Sequence, residues 1–193
     1  MSEAKGSYNL IMIKNIFITG TPGCGKTSLI MEIIKELDLL ARRSLDEGGE
    51  AGGFYTSEIR EGGLRKGFKI ITLNGQEGIL AHVNVESPYQ VSKYKVNIKD
   101  LEEIGVRSIL EALKEDKIII IDEVGKAEMF SNKFKQAVLV ALNSKNKVLG
   151  TIKLTPDSFT SKIKNRSDTK IFYLTKENRK EIKKEVIKLL RSG

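Results

Sequence analysis

Eight residues near the start of the chain, Gly20-Thr21-Pro22-Gly23-Cys24-Gly25-Lys26-Thr27, restrict its fold more than any other stretch. Their spacing is G-x-x-x-x-G-K-[ST], which works only where a strand ends and a helix begins. Ile16, Phe17 and Ile18 form a β-prone run just before the loop. After it, Leu29, Ile30, Ile33, Ile34 and Leu37 recur at three- and four-residue steps, as one face of a helix requires. That context sets aside a chance match in a chain rich in glycine and lysine. Glycines let such a loop curl so that successive N–H groups point at phosphate oxygens, and the following helix adds the positive end of its dipole. Lys26 then reaches the β- and γ-phosphates and the Thr27 hydroxyl ligates Mg²⁺. The loop is therefore expected to hold a nucleoside triphosphate.

The rest of the chain reads as alternating strands and helices. Strands are expected over 13–19, 54–60, 67–73, 79–84, 117–122, 148–152 and 171–174, with a weaker one over 91–98. Helices are expected over 26–40, 99–114, 128–143 and 156–164, and a last one N-capped by Thr175. Leu101, Ile104, Ile109, Leu110 and Leu113 read as the inward face of the second helix, and Phe130, Phe134, Val138 and Leu142 as the apolar residues of the third. The glycine-rich stretch 42–53 reads as a mobile loop, and residues 1–10 as a polar, frayed end. Asn74-Gly75 between β-prone runs signals a hairpin, so a β-ribbon insert over about 52–84 is expected after the first helix. The fold class is α/β: a three-layer P-loop NTPase fold with a parallel central sheet, as one domain over 1–193.

Four isoleucines, Ile118 to Ile121, precede Asp122 and Glu123 and read as a strand buried on both faces. A carboxylate at the end of such a strand lies at the edge where open α/β sheets bind ligands. Asp122 is thus placed to hold Mg²⁺ opposite Thr27, and Glu123 to orient and deprotonate an attacking water.

Three further groups of residues are weighed by their surroundings. Arg60 and Arg65 flank a Gly-Gly turn and are candidate cations for the transition state, alongside Arg42, Arg43, Arg107 and Arg166. Lys126 follows the acids closely enough to face phosphates or to pair with Glu128. His82 reads as a surface or packing residue, and Tyr55 and Tyr94 as strand aromatics.

Charge and cysteine usage narrow the setting. A net charge of +8 suits polyanionic ligands, but the lysines are scattered and read as a solvated surface rather than a nucleic-acid face. Cys24, the single cysteine, precludes an intrachain disulfide and fits a reducing cytoplasm. The run Leu10 to Ile13 is too short for a membrane span.

Three segments carry a resemblance: the loop G-T-P-G-C-G-K-T, the ribbon from Gly52 to Ile70 reading G-G-F-Y-T-S-E-I-R-E-G-G-L-R-K-G-F-K-I, and I-D-E-V-G-K-A-E from Ile121 to Glu128. Together they resemble the P-loop nucleoside triphosphatases of thermophile type, whose vertebrate relatives are called cancer-related nucleoside-triphosphatase. The resemblance implies Mg²⁺-dependent hydrolysis of ATP, GTP, CTP and UTP to diphosphate and phosphate, with loose base preference. It places the nucleotide site on Gly20 to Thr27, Asp122, Glu123 and Gly125, and ribbon residues on Phe54, Thr56, Glu58, Arg60, Arg65, Gly67 and Phe68. A family segment like V-G-K-Y-G-V stands here as Val91-Ser92-Lys93-Tyr94-Lys95-Val96, with both glycines replaced. The same loop also serves nucleotide and small-molecule kinases, and a nucleotide-switched nucleic-acid-binding module is the reading of a different class.

Overall fold

A computed structural model describes residues 12–41 and 50–192. The expected polar end at 1–10 and most of the glycine-rich loop, 42–49, lie outside the described residues. Nine strands form one sheet: β1 (Asn15–Thr19), β2 (Ala51–Glu61), β3 (Leu64–Thr72), β4 (Glu77–His82), β5 (Gln90–Val91), β6 (Tyr94–Val96), β7 (Ile118–Val124), β8 (Val148–Ile152) and β9 (Thr169–Tyr173). The helices are α1 (Lys26–Ala41), α2 (Ile98–Asp100), α3 (Arg107–Lys114), α4 (Asn132–Asn143), α5 (Ser158–Lys164) and α6 (Arg179–Arg191), and a π-helical stretch, Leu101–Val106, joins α2 to α3.

The strand order is β5-β6-β4-β3-β2-β7-β8-β1-β9. β2, β7, β8, β1 and β9 run parallel to their neighbours, while β3, β4, β6 and β5 continue the sheet antiparallel. Successive residues of a strand face opposite sides, and the isoleucine run shows how the layers form. Ile119 and Ile121 join a core with Phe134 and Val138 of α4 and Ile109 of α3. Ile120 joins another with Leu29, Ile33 and Leu37 of α1 and Val186 of α6. A strand apolar on both faces is thus buried between two helical layers.

The ribbon is part of this sheet and not an attachment to it. β2 begins parallel to β7, pairing Ala51 to Phe54 with Ile118 to Ile121. From Phe54 onward it pairs antiparallel with β3, down to Glu61 opposite Leu64. Gly52 and Gly53, expected in a loop, therefore lie in a strand. Gly53 has φ 106°, and a β-carbon there would stand 2.2 Å from the Ile120 carbonyl oxygen, so close approach to β7 is what requires glycine.

Other expectations are adjusted at element ends. The helix expected over 128–143 is split by Ser131, whose hydroxyl accepts from the Phe134 N–H at 3.0 Å and caps α4. Thr175 does not cap the last helix. It exchanges hydrogen bonds with Asn178, which precedes α6. The weak strand over 91–98 is two short strands joined by a turn in which Ser92 takes φ 55°, at a position where the resembling family has glycine. Leu110 and Phe130 are 37% and 40% exposed. Leu110 follows buried Ile109 in α3 and so turns about 100° away from it, and Phe130 instead meets Tyr89 with ring centroids 5.2 Å apart.

Gly53→Ala should lower stability by about 3 kcal/mol, combining an unfavourable φ with overpacking against backbone. The check is a lower urea midpoint at unchanged m-value.

Candidate nucleotide site

β1 delivers the chain to Gly20 at the edge of the parallel sheet, and α1 departs from Lys26. Between them the backbone curls through Gly23 and Gly25, at φ 78° and 91°. The first turn of α1 carries no acidic side chain, so its positive end faces the loop uncompensated. The Lys26 ammonium spans the loop, donating to the carbonyls of Gly20 (3.2 Å) and Thr21 (3.4 Å). Cys24 turns its side chain into the α1–α6 core and donates its N–H to the Thr21 carbonyl.

β8 lies between β1 and β7, so the loop and Asp122 sit two strands apart. They are nevertheless bonded. Asp122 is 1% exposed; its Oδ2 accepts from the Thr27 hydroxyl at 2.7 Å and from the Thr56 N–H at 3.4 Å, and its Oδ1 accepts from the Thr151 hydroxyl at 2.6 Å. Burial pushes this carboxyl above the usual range, while hydrogen bonds from Thr151, Thr27 and Thr56 and the Lys26 charge oppose it. Glu123 is raised chiefly by burial and further by Asp122, against the pull of Lys26 and Lys153. Glu128 is 4% exposed and accepts from the Gly125 N–H at 3.1 Å. Burial, followed by the charge of Glu123, pushes it up to about 8.

A cleft of about 420 Å³ opens in front of these groups, bordered by Gly20, Pro22, Lys26, Glu123, Gly125 and Glu128. Lys126 lines it too, without an ion pair to Glu128 among the described residues. Neither Arg60 nor Arg65 lines it. Both guanidiniums are held by Glu58, at 2.6 and 2.7 Å; Arg60 also donates to the Gly63 carbonyl and Arg65 to the Tyr94 hydroxyl. His82 accepts from the Asn84 N–H in a turn.

Several participants escaped the sequence reading. Thr151 ends an apolar strand just as Asp122 does, and that shared position was its signal. Lys153, paired with Asp157 at 2.7 Å, also lines the cleft. Arg179 donates to the Gly25 carbonyl (3.0 Å) and pairs with Glu32 (2.7 Å), tying α6 to the loop across the α1–α6 layer, and no local pattern announces it.

A loop of phosphate-binding spacing between strand and helix, bonded to an acid near the end of a buried parallel strand, defines a P-loop nucleoside triphosphatase-like α/β protein. A family model described as NTPase matches residues 15–187. Nucleoside-triphosphatase THEP1 of Thermotoga sp. (strain RQ2) is 50% identical over 176 residues, covering 91% of this chain and 95% of the relative. The human cancer-related nucleoside-triphosphatase is 35% identical over 195 residues, covering 94% and 99%. The crystal structure of THEP1 from the hyperthermophile Aquifex aeolicus superposes with a TM-score of 0.80 at 34% identity, covering 92% of this chain and 99% of that one. The chain belongs to this nucleoside-triphosphatase family, and it is a nucleoside-triphosphatase. No helix among the described residues is long and apolar enough to cross a membrane.

The raised carboxyl of Glu128 has a consequence for stability. The folded state holds its proton up to about pH 8 while the unfolded chain releases it near 4.5, so the stability that goes with the protonated form is lost as pH rises through that window. Across pH 5 to 9 the wild-type Tm should fall relative to that of Glu128→Gln, measured by calorimetry on both proteins.

Proposed function

We propose that the protein hydrolyses ATP, GTP, CTP and UTP to diphosphate and phosphate, with the chemistry centred on Lys26, Thr27, Asp122 and Glu123. The observation that carries this reading is the 2.7 Å bond from Thr27 to Asp122, which joins the loop to the acidic strand end, beside Glu123 on the cleft wall. Gly20, Thr21, Pro22, Gly23, Cys24 and Gly25 supply backbone to the phosphates, and Gly125 borders the same space.

The donor set fits Mg²⁺. Thr27 and Asp122 offer hydroxyl and carboxylate oxygens only, as a hard cation prefers. No group of three or more His, Cys, Asp or Glu suited to a metal occurs among the described residues, so the ion would rest on these two side chains together with substrate oxygens. Bound there, it supplies positive charge against the β- and γ-phosphates.

Transfer of a phosphoryl group is mostly positioning and charge stabilisation. Lys26 sits beside Gly20 at the cleft mouth, where it neutralises charge on the transferring group. Glu123 orients the attacking water and takes its proton. Lys126 and Lys153 on the cleft wall supplement Lys26, a role for which Arg60, tied to Glu58 and Gly63, is poorly placed.

A pocket of about 280 Å³ on the other side of the loop, lined by Thr21 to Cys24 and by Tyr173 to Glu177, offers the base a place and only short polar chains, Tyr173, Lys176 and Glu177 to read it. That accords with loose base preference. Some surface lysines pair with acids, as Lys133 does with Glu102 and Lys145 with Asp116, which favours a solvated surface over a nucleic-acid face. The lone Cys24 accords with a cytoplasmic setting.

Phosphate release from the four triphosphates with Mg²⁺ tests this reading. Glu123→Gln should bind ATP with Mg²⁺ about as well as wild type yet hydrolyse it at least ~100-fold more slowly, the scale of losing a positioned base. A fall of only a few-fold would remove Glu123 from proton transfer. Arg60→Ala should change kcat by less than about threefold, since it loses only an exposed ion pair and an exposed hydrogen bond to Gly63, and a larger fall in kcat at unchanged nucleotide affinity would restore Arg60 as a transition-state cation.

A further inference from the structure

Hydrolysis requires room for one water beside the γ-phosphate, yet the cleft extends well beyond that point. Past Glu123 and Glu128 it continues into a chamber walled by Phe68, Leu80, Val91, Tyr94 and Leu154, and at about 420 Å³ the whole has the size of a small-molecule site. Four of these five come from the antiparallel half of the sheet: Phe68 from β3, Leu80 from β4, Val91 and Tyr94 from β5 and β6, while Leu154 follows β8. They are fixed in place. Phe68 and Tyr94 meet edge to face at 5.4 Å and 79°. Arg65 lies 5.2 Å over the Phe68 ring, donates to the Tyr94 hydroxyl at 3.1 Å, and is itself held by Glu58.

The nucleotide does not fill this chamber. Lys26 faces the β- and γ-phosphates and the Thr27–Asp122 pair the metal, which turns the γ-phosphate toward Glu123. The remainder of the nucleotide leads the opposite way, across the start of α1 to the pocket lined by Thr21 to Cys24 and Tyr173 to Glu177. We propose that the chamber binds a second substrate, a neutral alcohol carrying a flat apolar or aromatic ring, whose hydroxyl takes the γ-phosphoryl group in place of water. This rests on the triphosphate reading of the loop.

Charge decides against an anionic acceptor. The cations lining the cleft are Lys26, Lys126 and Lys153; Lys26 serves the nucleotide and Lys153 is paired with Asp157. Among the described residues no arginine lines it, and the carboxyls of Glu123 and Glu128 do. A phosphate-bearing acceptor would meet the Glu123 carboxylate and, among the described residues, no cation that does not already serve the nucleotide or Asp157, whereas a ring would meet Phe68 and Tyr94. Buried Glu128, which borders the chamber, offers the alcohol a hydrogen-bonding group within an otherwise apolar wall. In the transfer step the hydroxyl oxygen bonds to the γ-phosphorus. The bond from that phosphorus to the β,γ-bridging oxygen breaks, and its electron pair leaves with the nucleoside diphosphate. The hydroxyl proton passes to the Glu123 carboxylate and then to water.

The experiment incubates the protein with Mg²⁺ and γ-³³P-labelled ATP and a panel of ring-bearing neutral alcohols: adenosine, guanosine, cytidine, uridine, thymidine and pyridoxine. Labelled phosphomonoester and free phosphate are separated and counted. At least one alcohol should yield labelled ester, and Val91→Trp or the milder Val91→Phe, which fill the chamber, should lower the ratio of ester to free phosphate at least tenfold. Free phosphate with no ester from any member overturns the proposal and leaves the hydrolase reading standing. Ester formed at the same ratio by both filled variants overturns it as well, and so does label transferred only to the corresponding monophosphates, assayed in parallel, as labelled diphosphate. Neither ester nor phosphate released would instead defeat the triphosphate reading, and the proposal with it.

Discussion

The buried carboxylate of Asp122 is where the parts of this molecule meet. Its oxygens accept from Thr27 at the start of α1, from Thr151 at the end of β8 and from the backbone of Thr56 in β2. A charged group out of water is tolerable only with such partners, so the acid, the loop and the two flanking strands depend on one another. The insertion of β8 between β1 and β7 makes this arrangement necessary. It separates loop from acid by a strand, and Thr151, carried on that strand, hydrogen-bonds the same carboxylate that Thr27 reaches from the loop.

Much of the site was legible because its signals are local. The loop, its flanking strand and helix, and the isoleucine run ending in Asp122 and Glu123 each announce themselves within a dozen residues. What was not legible depends on pairing at long range. Gly52 and Gly53 look like loop because glycines in series usually are, and only the approach of Ile120 shows why a strand needs one of them there. Arg179 lies more than 150 residues from the carbonyl it binds. Glu128 looked like a partner for Lys126, and its burial against the Gly125 N–H could be known only once the turn after β7 was placed.

The residues most particular to the family segments find a common explanation in the chamber. Thr56 touches Asp122, Glu58 grips Arg65, Arg65 steadies Phe68 and Tyr94, and the last two face the cleft. The antiparallel half of the sheet thus walls the same cleft that Gly20 and Lys26 border.

β2 gives that continuity a mechanical meaning. Its first residues are clasped in the parallel sheet and its last pair with β3, which carries Phe68, so the strand beside Asp122 and the wall at Phe68 belong to one hydrogen-bonded ladder. Two domains on a hinge can close like jaws around a ligand, but neighbouring strands of one sheet cannot. Molecules entering this cleft meet a mould rather than a trap. Selectivity then rests on shape already set before arrival, and the entropy of arranging that shape is spent during folding instead of at each turnover.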